Sequence, residues 1–97
     1  MKFIEQFLEM MLAERGIAKN SVLSYKRDLK DFQEFLTKNR LTELEVKDSD
    51  ISKFISELAK SGISPRSINR KISTLKSYFI FLVTENHTDY NPVLVVD

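Results

Sequence analysis

The sequence predicts an all-α domain, a compact four-helix bundle of two crossed helical hairpins. Apolar residues recur at three- and four-residue spacing in four successive segments, the period of a helix with one face on a core. The composition is 42% hydrophobic, with only two glycines and two prolines to interrupt helices. The connectors between the segments are short, which favours antiparallel or crossed neighbours. At 97 residues the chain can bury one core but not two.

The first segment, KFIEQFLEMMLAERG, puts Ile4, Phe7, Leu8, Met11 and Leu12 on one side, and Gly16 ends it. After a connector from Gly16 to Lys19, the second segment begins with Asn20 or Ser21 as cap and buries Val22, Tyr25, Leu29, Phe32 and Leu36. The polar linker from Asn39 to Lys47 tucks Leu41 and Leu44 under the bundle. Asp48 then caps a third helix running to about Lys60, with Ile51, Phe54, Ile55 and Leu58 inward and Gly62 as its stop.

The fourth segment, from Ser64 to Glu85, is the longest and the most informative. Ser64 can cap the free amides of the first turn, and Pro65 at the first helical position loses no intrahelical bond. Ile68, Ile72, Leu75, Phe79 and Leu82 form its core stripe. At 100° per residue, Arg66, Asn69, Arg70, Ser73, Lys76 and Ser77 share another arc of roughly 120° that contains no acid. A solvated helix face usually mixes signs at i to i+4 spacing, so an unbroken cationic arc suits an outside anion. It runs about 16 Å, enough to cross a DNA major groove about 12 Å wide. Lys71 turns to the core side as a snorkelling boundary residue.

Net charge is only +1, so distribution matters more than the sum. Residues 15 to 30 carry Arg15, Lys19, Lys26, Arg27 and Lys30 against Asp28 alone, while acids gather elsewhere. Lys19, Lys26 and Lys30 share a flank of the second helix, with Arg27 beside them and Ser21 near the start. There is no cysteine, which excludes disulfides and thiolate metal sites and fits a reducing cytoplasm. No apolar run approaches bilayer length, so no membrane partner is expected. His87, the single histidine, reads as a surface residue that can build neither a metal site nor a catalytic pair. Asn91 and Pro92 mark a turn, after which VLVVD reads equally as the start of a linker or as a tail folding back.

In FLEMMLAERGIAKNSVLSYKRDLKDFQEFL, Ser21 stands four residues before Tyr25, and Asp28 and Leu29 follow. SGISPRSINRKISTLKSYFIFLVTENHTDYNP carries a serine near the helix start, an arginine, a small residue, a basic residue, an aromatic pair and a closing Asn-Pro. In this ordered combination the chain resembles the N-terminal core-binding, SAM-like domain of tyrosine recombinases of the phage integrase type, particularly the Xer-like members. The resemblance implies that residues 1–91 form half of a C-shaped clamp on double-stranded DNA, with the second and fourth helices across the major groove. Residues 92–97 would then begin a linker to a C-terminal catalytic domain that supplies the nucleophilic tyrosine. The chain itself would catalyse nothing and need no cofactor, metal or small molecule. Its partners would be DNA, its own catalytic domain and other recombinase protomers.

Under that reading Arg66, Lys76, Lys19 and Lys26 are phosphate candidates, joined by the Ser21 and Ser67 hydroxyls, and Arg27 and Lys30 extend the second basic surface. Arg70 and Asn69, nearer the middle of the stripe, suit base edges, and Ser73 allows close approach. Tyr25, Tyr78 and Tyr90 are assigned to packing or to the terminal turn. The competing reading is a stand-alone helical protein-interaction module whose basic face meets an acidic partner.

Overall fold

Helix boundaries follow local chemistry, and packing follows the apolar stripes. The computed structural model describes residues 1–94 and contains α1 (Ile4–Ala13), α2 (Lys19–Lys38), α3 (Asp48–Lys60) and α4 (Pro65–Thr84). Helix α1 packs on α2, α3 packs on α4, and α2 and α4 join the two pairs. The radius of gyration is 12.9 Å, close to the ~13 Å of a compact 100-residue domain.

Helix α4 begins as its sequence dictates. The Ser67 N–H donates to Ser64 Oγ at 3.2 Å, and Pro65 occupies the first turn. Its five expected core residues, Ile68, Ile72, Leu75, Phe79 and Leu82, are all buried. Each such burial contributes roughly 1.5–3 kcal/mol before chain entropy is counted. Helices α2, α3 and α4 each end in a paired reversal that satisfies two free carbonyls. Leu41, Ile63 and His87 donate their N–H groups to the carbonyls of Leu36, Leu58 and Leu82, while Arg40, Gly62 and Asn86 turn through positive φ.

Several boundaries and faces differ from the sequence expectation. Helix α2 starts at Lys19 with Ala18 in the cap position and no side-chain cap, so Asn20 and Ser21 already lie inside its first turn. Asp48 likewise falls inside α3. The cap position is Lys47, whose N–H donates to the Asp50 carboxylate at 3.0 Å. Leu12 is 44% exposed, because Phe7, Leu8 and Met11 fill the contact and leave it beyond the edge of the stripe. Leu44 is exposed because Glu43 and Val46 turn inward instead. The Glu43 carboxylate accepts the Lys2 N–H at 2.7 Å and the hydroxyl of fully buried Tyr78. Burial and the adjacent Glu43 push the Tyr78 phenol far above its ordinary value.

The segment that follows α4 is pinned as far as Val93. His87 stacks on Phe3 with ring centroids 3.8 Å apart, so it is part of a packed contact and not a free surface residue. The Val93 N–H donates to Asn91 Oδ1 at 3.0 Å, and Pro92 and Val93 are buried against the core. Leu94 is exposed. The rest of the VLVVD segment, residues 95–97, lies outside the described residues.

Candidate nucleic-acid interface

The exposed arc of α4 forms as its periodicity requires. Arg66, Asn69, Arg70 and Ser73 are exposed, and Ser67, Lys76 and Ser77 are half-buried at its margins. On α2, Lys19, Ser21, Lys26, Arg27 and Lys30 are all exposed. Among the described residues, Lys19, Lys26, Arg27, Lys30, Arg66 and Lys76 make no ion pair. Their charges remain available to a partner.

Two of the α4 cations are not available in that way. Asp28 of α2, 1% exposed, projects between the helices and gathers four donors. Arg70 reaches it side-on, Nη2 to Oδ1 at 2.9 Å and Nε to Oδ2 at 3.3 Å. Thr74 Oγ1 donates to Oδ2 at 2.9 Å, and Lys71 Nζ lies 3.2 Å from Oδ1. Lys71 also pairs with Asp31 at 2.5 Å and is itself buried, so it is a core ion rather than a snorkelling one. Burial pushes the Asp28 carboxyl up, but hydrogen bonds from Arg70, Thr74 and Lys71 together outweigh it and hold it below the usual aspartate range. The α4 arc contains no acid in its own sequence, yet α2 supplies one from across the interface.

This network decides how the basic residues are grouped. Asp28 faces α4, and at 100° per residue Arg27 lies on the solvent side of that same flank. Lys19, Lys26 and Lys30 lie farther round, toward α1, where Lys26 and Lys30 line a groove with Met1, Lys2, Ile4 and Glu5. The expected site residues therefore fall into two groups. Arg66, Ser67, Asn69, Arg70, Ser73 and Lys76 share the α4 face, with Arg27 on the adjoining flank of α2 and Ser21 in the first turn of α2 on the Asp28 side, while the three α2 lysines look outward from the α1 side.

Residues 4–86 match the family described as phage integrase, N-terminal SAM-like domain. The chain belongs to this family. The matched span covers all four helices of the SAM-like domain, including both basic faces. Among curated relatives, the tyrosine recombinase XerD of Rickettsia conorii (strain ATCC VR-613 / Malish 7) is 60% identical over all 97 residues, and that of Rickettsia prowazekii (strain Madrid E) is 58% identical over the same length. The tyrosine recombinase XerD of Agrobacterium fabrum (strain C58 / ATCC 33970) is 36% identical over 94 residues, 97% of the chain. The chain spans 32%, 31% and 28% of these three relatives respectively, about a third of each. No solved structure matches.

Sequence reasoning missed the members of the SAM-like domain that organise its α4 face. Asp28 was legible as an anomaly, a carboxylate three residues after Tyr25 and four before Phe32, on the buried side of its helix. A charge at that spacing demands cations. Nothing in the chain order names Arg70, Lys71 and Thr74 as the partners, more than forty residues away. Among the described residues, no group of three His, Asp or Glu side chains could hold a metal ion, and no helix is long and apolar enough to cross a membrane.

Proposed function

We propose that this chain is the DNA-binding half of a clamp in a cytoplasmic site-specific tyrosine recombinase, and that a further catalytic domain of the parent protein carries the strand chemistry. The observation that supports the reading best is the α4 arc, where exposed Arg66 and half-buried Lys76 have no acidic partner among the described residues and stand at opposite ends of a stripe containing Asn69 and Ser73. The names of the relatives support recombination as the activity of the whole protein. Duplex DNA presents its phosphate rows on both walls of the major groove, and a stripe about 16 Å long spans between them.

Under this reading Arg66 and Lys76 each neutralise a phosphate, and Asn69 near the centre of the stripe reads a base edge. Arg27 adds a contact from the neighbouring flank. The α2 lysines facing α1 contribute long-range attraction or meet a neighbouring protomer on the same DNA. Under this reading strand cleavage belongs to the parent protein's catalytic domain: Tyr25 is half-buried, the Tyr78 hydroxyl donates to buried Glu43, and Tyr90 lies beside the Asn91–Pro92 turn.

The test is binding of the chain to a random duplex across a salt series. Each phosphate contact contributes about 0.9 to the slope of log affinity against log salt. Replacing Arg66 and Lys76 together by alanine should flatten that slope by about two. A wild-type chain with no affinity for duplex DNA even at low salt would reject the proposal in favour of an acidic protein partner.

A further inference from the structure

The grip of Asp28 on Arg70 constrains what that arginine can do on DNA. A guanidinium has five donors in a rigid fork. Asp28 takes the Nε edge and one hydrogen of Nη2. The Nη1 group and the outer hydrogen of Nη2 remain, and the side chain is 54% exposed. The carboxylate cannot readily give the arginine up, because Asp28 is buried and would keep only Lys71 and Thr74. Arg70 therefore meets DNA with Asp28 still attached, and only its outer Nη1–Nη2 edge is offered.

We propose that Arg70 contacts a DNA phosphate through its free Nη1 edge, with Asp28 as the residue that positions it. The inference rests on the DNA-binding reading and deepens it. Arginine held by a carboxylate in this way presents a fixed donor edge instead of a mobile charge, and phosphate oxygens match that edge in geometry. Specificity on α4 then falls to Asn69, and Arg70 sets register. Lys71, turned inward to Asp28 and Asp31, anchors the device and makes no DNA contact.

The test combines salt dependence with neutral phosphates. In the full chain, Arg70→Ala should weaken binding to preferred and random duplexes by the same factor, roughly tenfold at low salt, and lower the salt slope by about one. In a scan of duplexes carrying single methylphosphonate replacements, one position should weaken the wild type and leave Arg70→Ala unaffected. Arg70→Lys keeps the charge but loses the fork, so it should retain the slope while the single-position effect shrinks. Asp28→Asn, verified as helical by circular dichroism, should shrink the same effect and leave the other positions intact.

A wild type that does not bind at low salt defeats the DNA reading as a whole. Wild-type binding with an unchanged slope in Arg70→Ala, or a loss confined to one base sequence, overturns this inference alone. A full single-position effect in Arg70→Lys, or a uniform loss across all positions in Asp28→Asn, removes Asp28 as the positioning residue.

Discussion

Replacing Asp28 by alanine tests whether the buried charge cluster holds α2 and α4 in register. The substitution removes the acceptor of two Arg70 donors, of the Thr74 hydroxyl and of the Lys71 ammonium. Deleting one partner of a buried ion pair costs about 3–5 kcal/mol, because the other charge is left uncompensated. Two features place this case at the lower end: Arg70 is 54% exposed and can rehydrate, and Lys71 retains Asp31. The expected loss is therefore about 3 kcal/mol. For a domain of this size, each kcal/mol shifts Tm by roughly 4–8 °C, so Tm should fall by roughly 12–24 °C. Urea and thermal unfolding followed by circular dichroism measure both quantities. Lys38→Ala provides the control, since its pairing with Glu57 at 3.5 Å is largely exposed and should matter by less than about 1 kcal/mol. A loss below about 1 kcal/mol for Asp28→Ala would refute the argument, because the cluster would then be no stronger than a surface pair.

Other substitutions test the helix ends and the titration of the same carboxylate. Arg40 terminates α2 at φ 55°, where glycine carries no Cβ penalty, so Arg40→Gly should raise stability by about 1 kcal/mol in urea unfolding. Ser64→Ala removes the acceptor for the Ser67 amide and should cost about 1 kcal/mol by the same measurement. The folded state holds the Asp28 carboxyl below its ordinary value of 3.8. Its contribution is thus complete above that value and is lost as pH falls through the depressed one. Urea midpoints measured from pH 5 downward should decline, and the decline should be shallower in Asp28→Asn.

What the sequence makes legible is governed by range. The α4 start, its core stripe and the glycine stop after α3 depend on residues within a turn of one another, and each stands where local spacing puts it. Exposure of Arg66, Arg70 and the basic residues of α2 is legible for the same reason. The start of α2 is not, because Ala18 fills the cap position without offering a side-chain acceptor, and the better capping residues two and three positions later are misleading. Leu44 loses its buried place to Glu43 because Tyr78 and the Lys2 amide need an acceptor, a demand that arises only once distant segments meet. Lys71 and Arg70 show the same limit at the site. Helical spacing gives their directions, but the acid that captures them comes from α2. The stacking of His87 on Phe3 joins the two ends of the domain and carries no local signature.

The central claim is that α4 turns its Arg66–Ser77 arc to duplex DNA. Amide chemical-shift mapping of the isotopically labelled chain, titrated with a short duplex at low salt, tests it residue by residue. Perturbations should concentrate at Arg66, Asn69, Arg70, Ser73 and Lys76, extend to Arg27 on α2, and fade as salt is raised. Shifts confined to α3, or none at any salt concentration, would contradict it.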